Sequence, residues 1–351
     1  FGAKIMAEKM AETRSRQQSE IAGTDGHTYA AIDLGTNNCG LLVARPNARG
    51  FRVVDAFSRI VRLGEGVESN QQLSQQAMDR TIEALKICAE KMRRRKVTRA
   101  RCVATAACRR AKNCNEFLKR VGREAGLYLE TITAEEEASL AVTACQPLLE
   151  AEARFALVFD IGGGSTELTW VRQGHDTALE PIALASLPHG VVNITERHGG
   201  GDFAPDEYEN LVGRVCDDLS LFENSHRINR KIRARGVQMI GTSGTVTTLT
   251  GVLLGLKRYD RQRVDGLWLS FADAREVAKY LRAMNLEERT AHPCIGRGRA
   301  DLVVAGCAIL EAIHRTWPME RLRVADRGVR DGLLLSLMHW DRSRDRTRAQ
   351  P

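Results

Sequence analysis

The chain has 351 residues, 43% hydrophobic and 27% charged with only 8 prolines, which excludes wholesale disorder and fibrous repeats and leaves room for roughly two domains of ordinary size. Lysine and arginine outnumber aspartate and glutamate by 52 to 44, a net charge of +8, yet nine basic and no acidic residues lie between Lys91 and Arg110, so the remainder is close to neutral at −1. None of the nine cysteines forms a C-x-x-C pair, which excludes zinc-ribbon and thioredoxin spacing and points to a reducing, cytoplasmic setting rather than a disulfide framework.

Residues 1–27 contain no continuous apolar stretch and read as a disordered tail rather than a signal peptide. Order is expected from the apolar strand Tyr29–Leu34, which carries Asp33 into the turn Gly35-Thr36-Asn37-Asn38. Strands over 39–44 and 51–61 follow, a meander rather than the strand–turn–helix of a dinucleotide-binding unit. Ala77, Ile82, Leu85, Ala89 and Met92 recur at helical spacing and predict a helix over 74–95. Short strands at 101–104 and 130–132 alternate with helices at 107–126 and 134–149.

The pattern then restarts. An apolar strand over 155–160 ends in Asp160, the turn Gly162-Gly163-Gly164-Ser165-Thr166 follows, and strands over 167–172 and 180–187 complete a second meander. The two Asp-x-Gly turns stand 127 residues apart, a domain-sized repeat that predicts two duplicated α/β domains with a cleft between them. The duplication divides the chain into residues 28–137 and 138–341, with a second loose tail at 342–351. The uncharged run 237–256 reaches membrane-spanning length, but its five threonines and four glycines make it a buried strand, the turn Gly241-Thr242-Ser243-Gly244-Thr245 and a helix.

Small-residue turns of this kind present several backbone N–H groups without side-chain obstruction, which is what a phosphate oxygen requires. The hydroxyls of Thr36, Ser165 and Thr166 can add donors. A single glycine-rich turn is ordinarily only a turn. Packing alone, however, gives no reason for Asp33 and Asp160 to precede both copies, whereas two carboxylates facing across a cleft suit a divalent cation that bridges phosphate oxygens. In Thr133-Ala134-Glu135-Glu136-Glu137 the first and fourth residues make a capping box, so Glu137 has no capping duty and is a candidate general base. Arg93-Arg94-Arg95-Lys96 suits the end of a helix facing water, while Arg109 and Arg110 follow a strand and could fork onto a phosphate.

These residues resemble a known family. The paired turns with Gly241-Thr-Ser-Gly-Thr are similar to the phosphate and nucleoside motifs of the actin, hexokinase and heat-shock-70 fold, which implies two duplicated RNase H-like domains and a last helix that packs back on the first. More narrowly, the stretch 29–337 resembles the exopolyphosphatase / guanosine pentaphosphate phosphohydrolase family, with Asp160-Ile-Gly-Gly-Gly-Ser-Thr-Glu as its most specific motif. The resemblance implies that Glu137 activates water, and that Glu167 and Asp160 surround the metal and the attacking water, with Asp33 as the acid of the first domain. It further implies that Arg109, Gly35, Thr36, Asn37, Asn38, Gly162, Gly163, Gly164, Ser165, Thr166 and Gly244 bind phosphate. Asn38 departs from the serine usual at that place, and Asn193 from a frequent arginine.

The expected activity is metal-dependent release of orthophosphate from the end of inorganic polyphosphate, the alternative substrate being guanosine pentaphosphate. Mg²⁺ or Mn²⁺ is the expected metal, with K⁺ as a further candidate and a homodimer as a candidate assembly; no membrane or DNA is expected as a partner. The basic stripe at 91–110 favours a long polyanion. An ATP-dependent kinase of the same fold and a non-enzymatic binder of polyphosphate or RNA are the rivals.

Overall fold

A computed structural model describes residues 26–48, 50–174 and 179–348; the expected N-terminal tail lies, up to residue 25, outside the described residues. Strands β1 (Tyr29–Leu34), β2 (Asn38–Asn47) and β3 (Gly50–Ile60) form an antiparallel meander. Helices α1 (Val67–Asn70) and α2 (Gln75–Arg94) lead to β4 (Arg99–Ala104), which pairs parallel with β1. Helices α3 (Ala106–Arg110) and α4 (Cys114–Ala125) and the short β5 (Glu130–Thr131) complete a sheet of order β3-β2-β1-β4-β5.

Helix α5 (Ala134–Cys145) crosses to the second half, where β6 (Phe155–Ile161), β7 (Thr166–Gln173) and β8 (Leu179–Leu187) repeat the meander. Helices α6 (Val191–His198), α7 (Pro205–His226) and α8 (Ile228–Arg233) precede β9 (Val237–Thr242) and α9 (Gly244–Leu253). After α10 (Arg261–Val264), β10 (Trp268–Ser270), α11 (Phe271–Ala283), α12 (Leu286–Ala291) and α13 (Val303–Thr316), the chain closes with β11 (Arg321–Ala325) and α14 (Val329–Arg348). The second sheet runs β10-β11-β9-β6-β7-β8. From the β8 edge its first five strands repeat the first sheet in both order and direction, and β10 is added at the far edge. The fold is therefore the expected duplicated RNase H-like, actin-like arrangement.

Alternation along β1 sorts the core of the first half. Ala30, Ile32 and Leu34 face the helices α2 and α4 through Met78, Ile82, Leu85, Phe117 and Val121. Tyr29 and Ala31 face the other way, onto Leu140 of α5 and Val329, Leu333, Leu334 and Met338 of α14. The last helix thus lies under the first sheet, and Tyr29 donates its hydroxyl to Asp341 at 2.9 Å. Truncating Ile32, fully buried, to alanine would cost about 2–5 kcal/mol. Helix α5 serves both sheets: Leu140 packs under the first, Val142 and Cys145 under the second. The expected boundary between Glu137 and Ala138 falls inside this one helix.

Two local expectations change. The helix expected over 107–126 breaks at residues 111–113, because Lys112 N–H donates to the Gln71 carbonyl and the Asn113 side chain brackets Leu73, donating to its carbonyl and accepting from its N–H. At the other end, α14 continues to Arg348, past the start of the expected tail at residue 342. The uncharged run 237–256 is the expected strand, turn and helix, with Thr247 and Thr250 spending their hydroxyls on the carbonyls of Ser243 and Val246. No helix among the described residues is long and apolar enough to cross a membrane.

Candidate active site

The central strands of the two meanders, β1 and β6, deliver Asp33 and Asp160 to one cleft, and the turns that follow them meet face to face. A Cβ placed on Gly164 would stand 2.6 Å from Thr36 Oγ1, and one on Gly163 would stand 3.1 Å from Thr36 Cβ. Glycine is required here for close approach. Gly190 backs the second turn in the same way, since a Cβ on it would lie 2.2 Å from the Gly163 carbonyl oxygen.

The cleft encloses about 510 Å³. Asp33, Gly35, Thr36, Asn37, Asn38, Glu137, Asp160, Gly162, Gly163, Gly164, Ser165 and Gly244 all line it. Arg109, Thr166 and Glu167 do not. Arg109 stands behind Glu137, donating to its carboxylate at 2.7 Å and to the Ile132 carbonyl at 3.1 Å, so it positions the acid rather than forking into the cavity. The Thr166 hydroxyl is committed to the His189 carbonyl at 2.6 Å, which leaves it no proton to donate to a phosphate and corrects its reading as a donor. Glu167 accepts the hydroxyls of Ser165 at 2.6 Å and Ser186 at 3.0 Å, a buried brace for the turn.

Glu137 sits in the first turn of α5, whose N-cap Thr133 accepts the Glu136 N–H at 3.1 Å. The return half of the expected capping box is missing, because Glu136 turns to Arg101 at 2.5 Å. Burial raises the Glu137 carboxyl above its ordinary range, and Arg109 and the Thr105 hydroxyl partly offset that rise. Burial and the charge of Glu137 push Asp33 up to about 7, against the pull of Arg330. Burial and Glu137 likewise push Glu167 up to about 7, and Asp160 is raised by burial and by the three other acids. Four carboxyls that repel one another, three lining the cleft and Glu167 buried behind it, favour a bound cation.

The donor set suits a hard divalent ion. Among the described residues no three His, Cys, Asp or Glu side chains are placed to hold a metal together. Mg²⁺ is commonly held by one or two carboxylates, with phosphate oxygens and water completing its shell, and Asp33 and Asp160 supply that number. Two buried oxygens of the first turn, Thr36 Oγ1 and Asn37 Oδ1, have no hydrogen-bond partner, as expected of groups that await a ligand.

Several cleft residues carried no assigned role in the sequence. Arg299, Arg261, Tyr259, Asp326, Arg330 and Asp331 also line the cleft. Tyr259 donates to Asp326 at 2.6 Å and Arg261 to Asp331 at 2.9 Å. Ser186 reaches Glu167 only because β7 and β8 pair them directly, a register that motif spacing does not reveal. Asn193, standing where an arginine was expected, donates to the Gly164 carbonyl at 2.7 Å and supports the turn from behind.

The basic stripe is partly paired with carboxylates. Lys91 and Arg95 pair with Asp55, Arg93 and Arg94 with Glu90, Arg101 with Glu130 and Glu136, and Arg110 with Glu68. Glu90 belongs to the same helix and the other carboxylates lie farther off along the chain; because Asp55 and Glu90 each serve two cations, the 91–95 end of the stripe stays positive.

A guanosine-5'-triphosphate,3'-diphosphate pyrophosphatase of Aeromonas hydrophila is 32% identical over 324 residues, covering 91% of this chain, and the chain spans 62% of that relative's length. The solved structure of the Ppx/GppA family member of Aquifex aeolicus is 29% identical and superposes with a TM-score of 0.72, covering 90% of this chain and 98% of its own. An exopolyphosphatase from Cytophaga hutchinsonii, 23% identical, shares the fold with a TM-score of 0.78 over 90% of this chain and 98% of its own. With the duplicated fold and a cleft of paired glycine turns, the match over residues 42–340 places the chain in the Ppx/GppA phosphatase family.

Proposed function

We propose that the cleft hydrolyses the terminal phosphoanhydride of a phosphate chain and releases orthophosphate, with inorganic polyphosphate as the substrate class. Glu137 carries this reading: a carboxylate made more basic by burial, fixed by Arg109 at 2.7 Å, at the edge of a cavity built from two glycine turns. In this reading Glu137 accepts a proton from water as that water attacks the terminal phosphorus. The backbone N–H groups of the turns and the Thr36 hydroxyl hold the phosphoryl oxygens. Glu167 and Asn193 keep the second turn in shape from behind. Asp33 and Asp160 would hold Mg²⁺ or Mn²⁺, which when bound offsets phosphate charge. Phosphoryl transfer depends mainly on positioning and electrostatics, so groups of these kinds suffice.

Guanosine pentaphosphate is the second reading. Pairing of much of the stripe weakens the charge argument for a long polyanion, and a relative at 32% identity is named for guanosine-5'-triphosphate,3'-diphosphate. Phosphate release with Mg²⁺ from polyphosphates of several lengths, guanosine pentaphosphate and ATP separates these readings. Release from a polyphosphate or the guanosine substrate supports hydrolysis and names the substrate. Transfer from ATP to an acceptor would support the kinase, and binding without turnover would support the binder.

A further inference from the structure

The arginines of the cleft differ in one respect. Arg261 is paired with Asp331 at 2.9 Å and Arg327 with Asp265 at 2.8 Å. Arg330, in the first turn of α14, lines the same cavity and, like Arg299, makes no ion pair among the described residues. Its location follows from a glycine. In the antiparallel pairing of β1 and β2, Gly40 stands directly opposite Asp33, where a side chain would project beside that of Asp33. Gly40 leaves the space open and Arg330 fills it: a Cβ on Gly40 would lie 2.6 Å from Arg330 Nη1 and 2.9 Å from Cζ. A second glycine fixes the helix that carries this arginine. A Cβ on Gly332 would lie 2.2 Å from the Leu140 carbonyl oxygen, so α14 is pressed against α5, the helix of Glu137.

We infer that Arg330 is a substrate-contacting residue whose guanidinium, lodged over Gly40 beside Asp33, binds an oxygen of the phosphoryl group being released. The inference rests on the hydrolytic reading above. In that reaction the water oxygen bonds to the terminal phosphorus and its proton goes to Glu137. The P–O bond to the bridging oxygen breaks, and its electron pair stays on the remaining phosphate chain. Negative charge on the phosphoryl oxygens meets a cavity whose near wall is carboxylates, and an unpaired guanidinium there supplies the opposite sign.

Steady-state phosphate release is measured for wild type, Arg330→Met, Arg330→Lys, Gly40→Ala and the Gly40→Ala/Arg330→Met double variant, with Tm for each. Removing one donor to a developing oxyanion costs roughly 10²–10³-fold in kcat, and that loss is expected for Arg330→Met with a smaller one for Arg330→Lys. A methyl group on Gly40 meets only the movable end of the arginine, so Gly40→Ala should keep its Tm yet lose about tenfold in kcat; in the Arg330→Met background it should lose almost nothing, because the two substitutions remove the same contact. Arg330→Met activity within about threefold of wild type, or an equal Gly40→Ala loss in both backgrounds, would overturn the inference. Should Arg330→Met fail to fold, Arg330→Lys and Gly40→Ala decide. Should wild type release no phosphate, the hydrolytic reading fails, and the rise in Tm caused by tripolyphosphate decides for Arg330. Loss of that rise in Gly40→Ala supports the anion contact, and an undiminished rise refutes it.

Discussion

The two turns of the cleft arise from the same device and have diverged in use. The second is satisfied by the protein. Ser165 donates to Glu167, Thr166 to the His189 carbonyl, and the Gly163 and Gly164 carbonyls accept from Val192 N–H and the Asn193 amide. The first leaves Thr36 Oγ1 and Asn37 Oδ1 buried and unpartnered. A buried polar atom without a partner costs about 1–3 kcal/mol, a cost that a ligand can remove. The second turn therefore serves as a rigid wall that presents backbone, and the first as the side whose Thr36 hydroxyl can donate to phosphate and whose Asn37 Oδ1, an acceptor, suits a cation or water. Sequence symmetry alone suggests equal roles for both.

The largest effect expected tests what the turns frame. Glu137→Gln should lower kcat by roughly 10²–10⁴-fold with KM little changed, read by steady-state phosphate release. A parallel rise in KM would make Glu137 a binding group instead. Next comes the contact between the turns. Gly164→Ala places a methyl 2.6 Å from Thr36 Oγ1 and should force the walls apart, costing about 10²-fold in kcat/KM while circular dichroism stays native.

Smaller effects follow from charge. The cleft crowds carboxyls together, whereas Asp55 lies between Lys91 and Arg95, which hold its carboxyl down at about 2. A lowered pKa adds stability that is present above about pH 4 and is lost as pH falls through about 2. Asp33, raised to about 7, has the opposite sign: its contribution declines as pH rises from about 4 through 7. At pH 8 without metal or substrate, Asp33→Asn should therefore raise Tm by roughly 2–4 °C, and Asp55→Asn should lower it by about 1–2 °C. Equal shifts of one sign would show that the cleft and the stripe are not electrostatic opposites.

Much of this was legible in the sequence, for reasons that also mark its limits. Asp33 and Asp160, repeated with their glycines, announce the duplication because each turn needs the same backbone freedom. Thr133 announces the start of α5 because an N-cap is a local interaction. What could not be read depends on partners distant along the chain. The break after Arg110 is set by Gln71 and Leu73, the inward turn of Arg109 by Glu137, and the partial pairing of the stripe by Asp55, Glu68 and Glu130. The direction of the Thr166 hydroxyl depends on where His189 returns past the turn.

The division of labour between the turns is tested most directly by paired isosteric substitutions, Thr36→Val and Thr166→Val, with KM for the preferred substrate and Tm measured for both. Losing one hydrogen bond to a charged phosphate oxygen should raise KM about tenfold in Thr36→Val, while removal of a buried unpartnered hydroxyl should raise the Tm of the ligand-free protein. Thr166→Val should keep its KM and lose about 1–2 kcal/mol of stability, because the His189 carbonyl is left without a donor. A KM that rises equally in both variants, with Tm unchanged in both, would contradict the account.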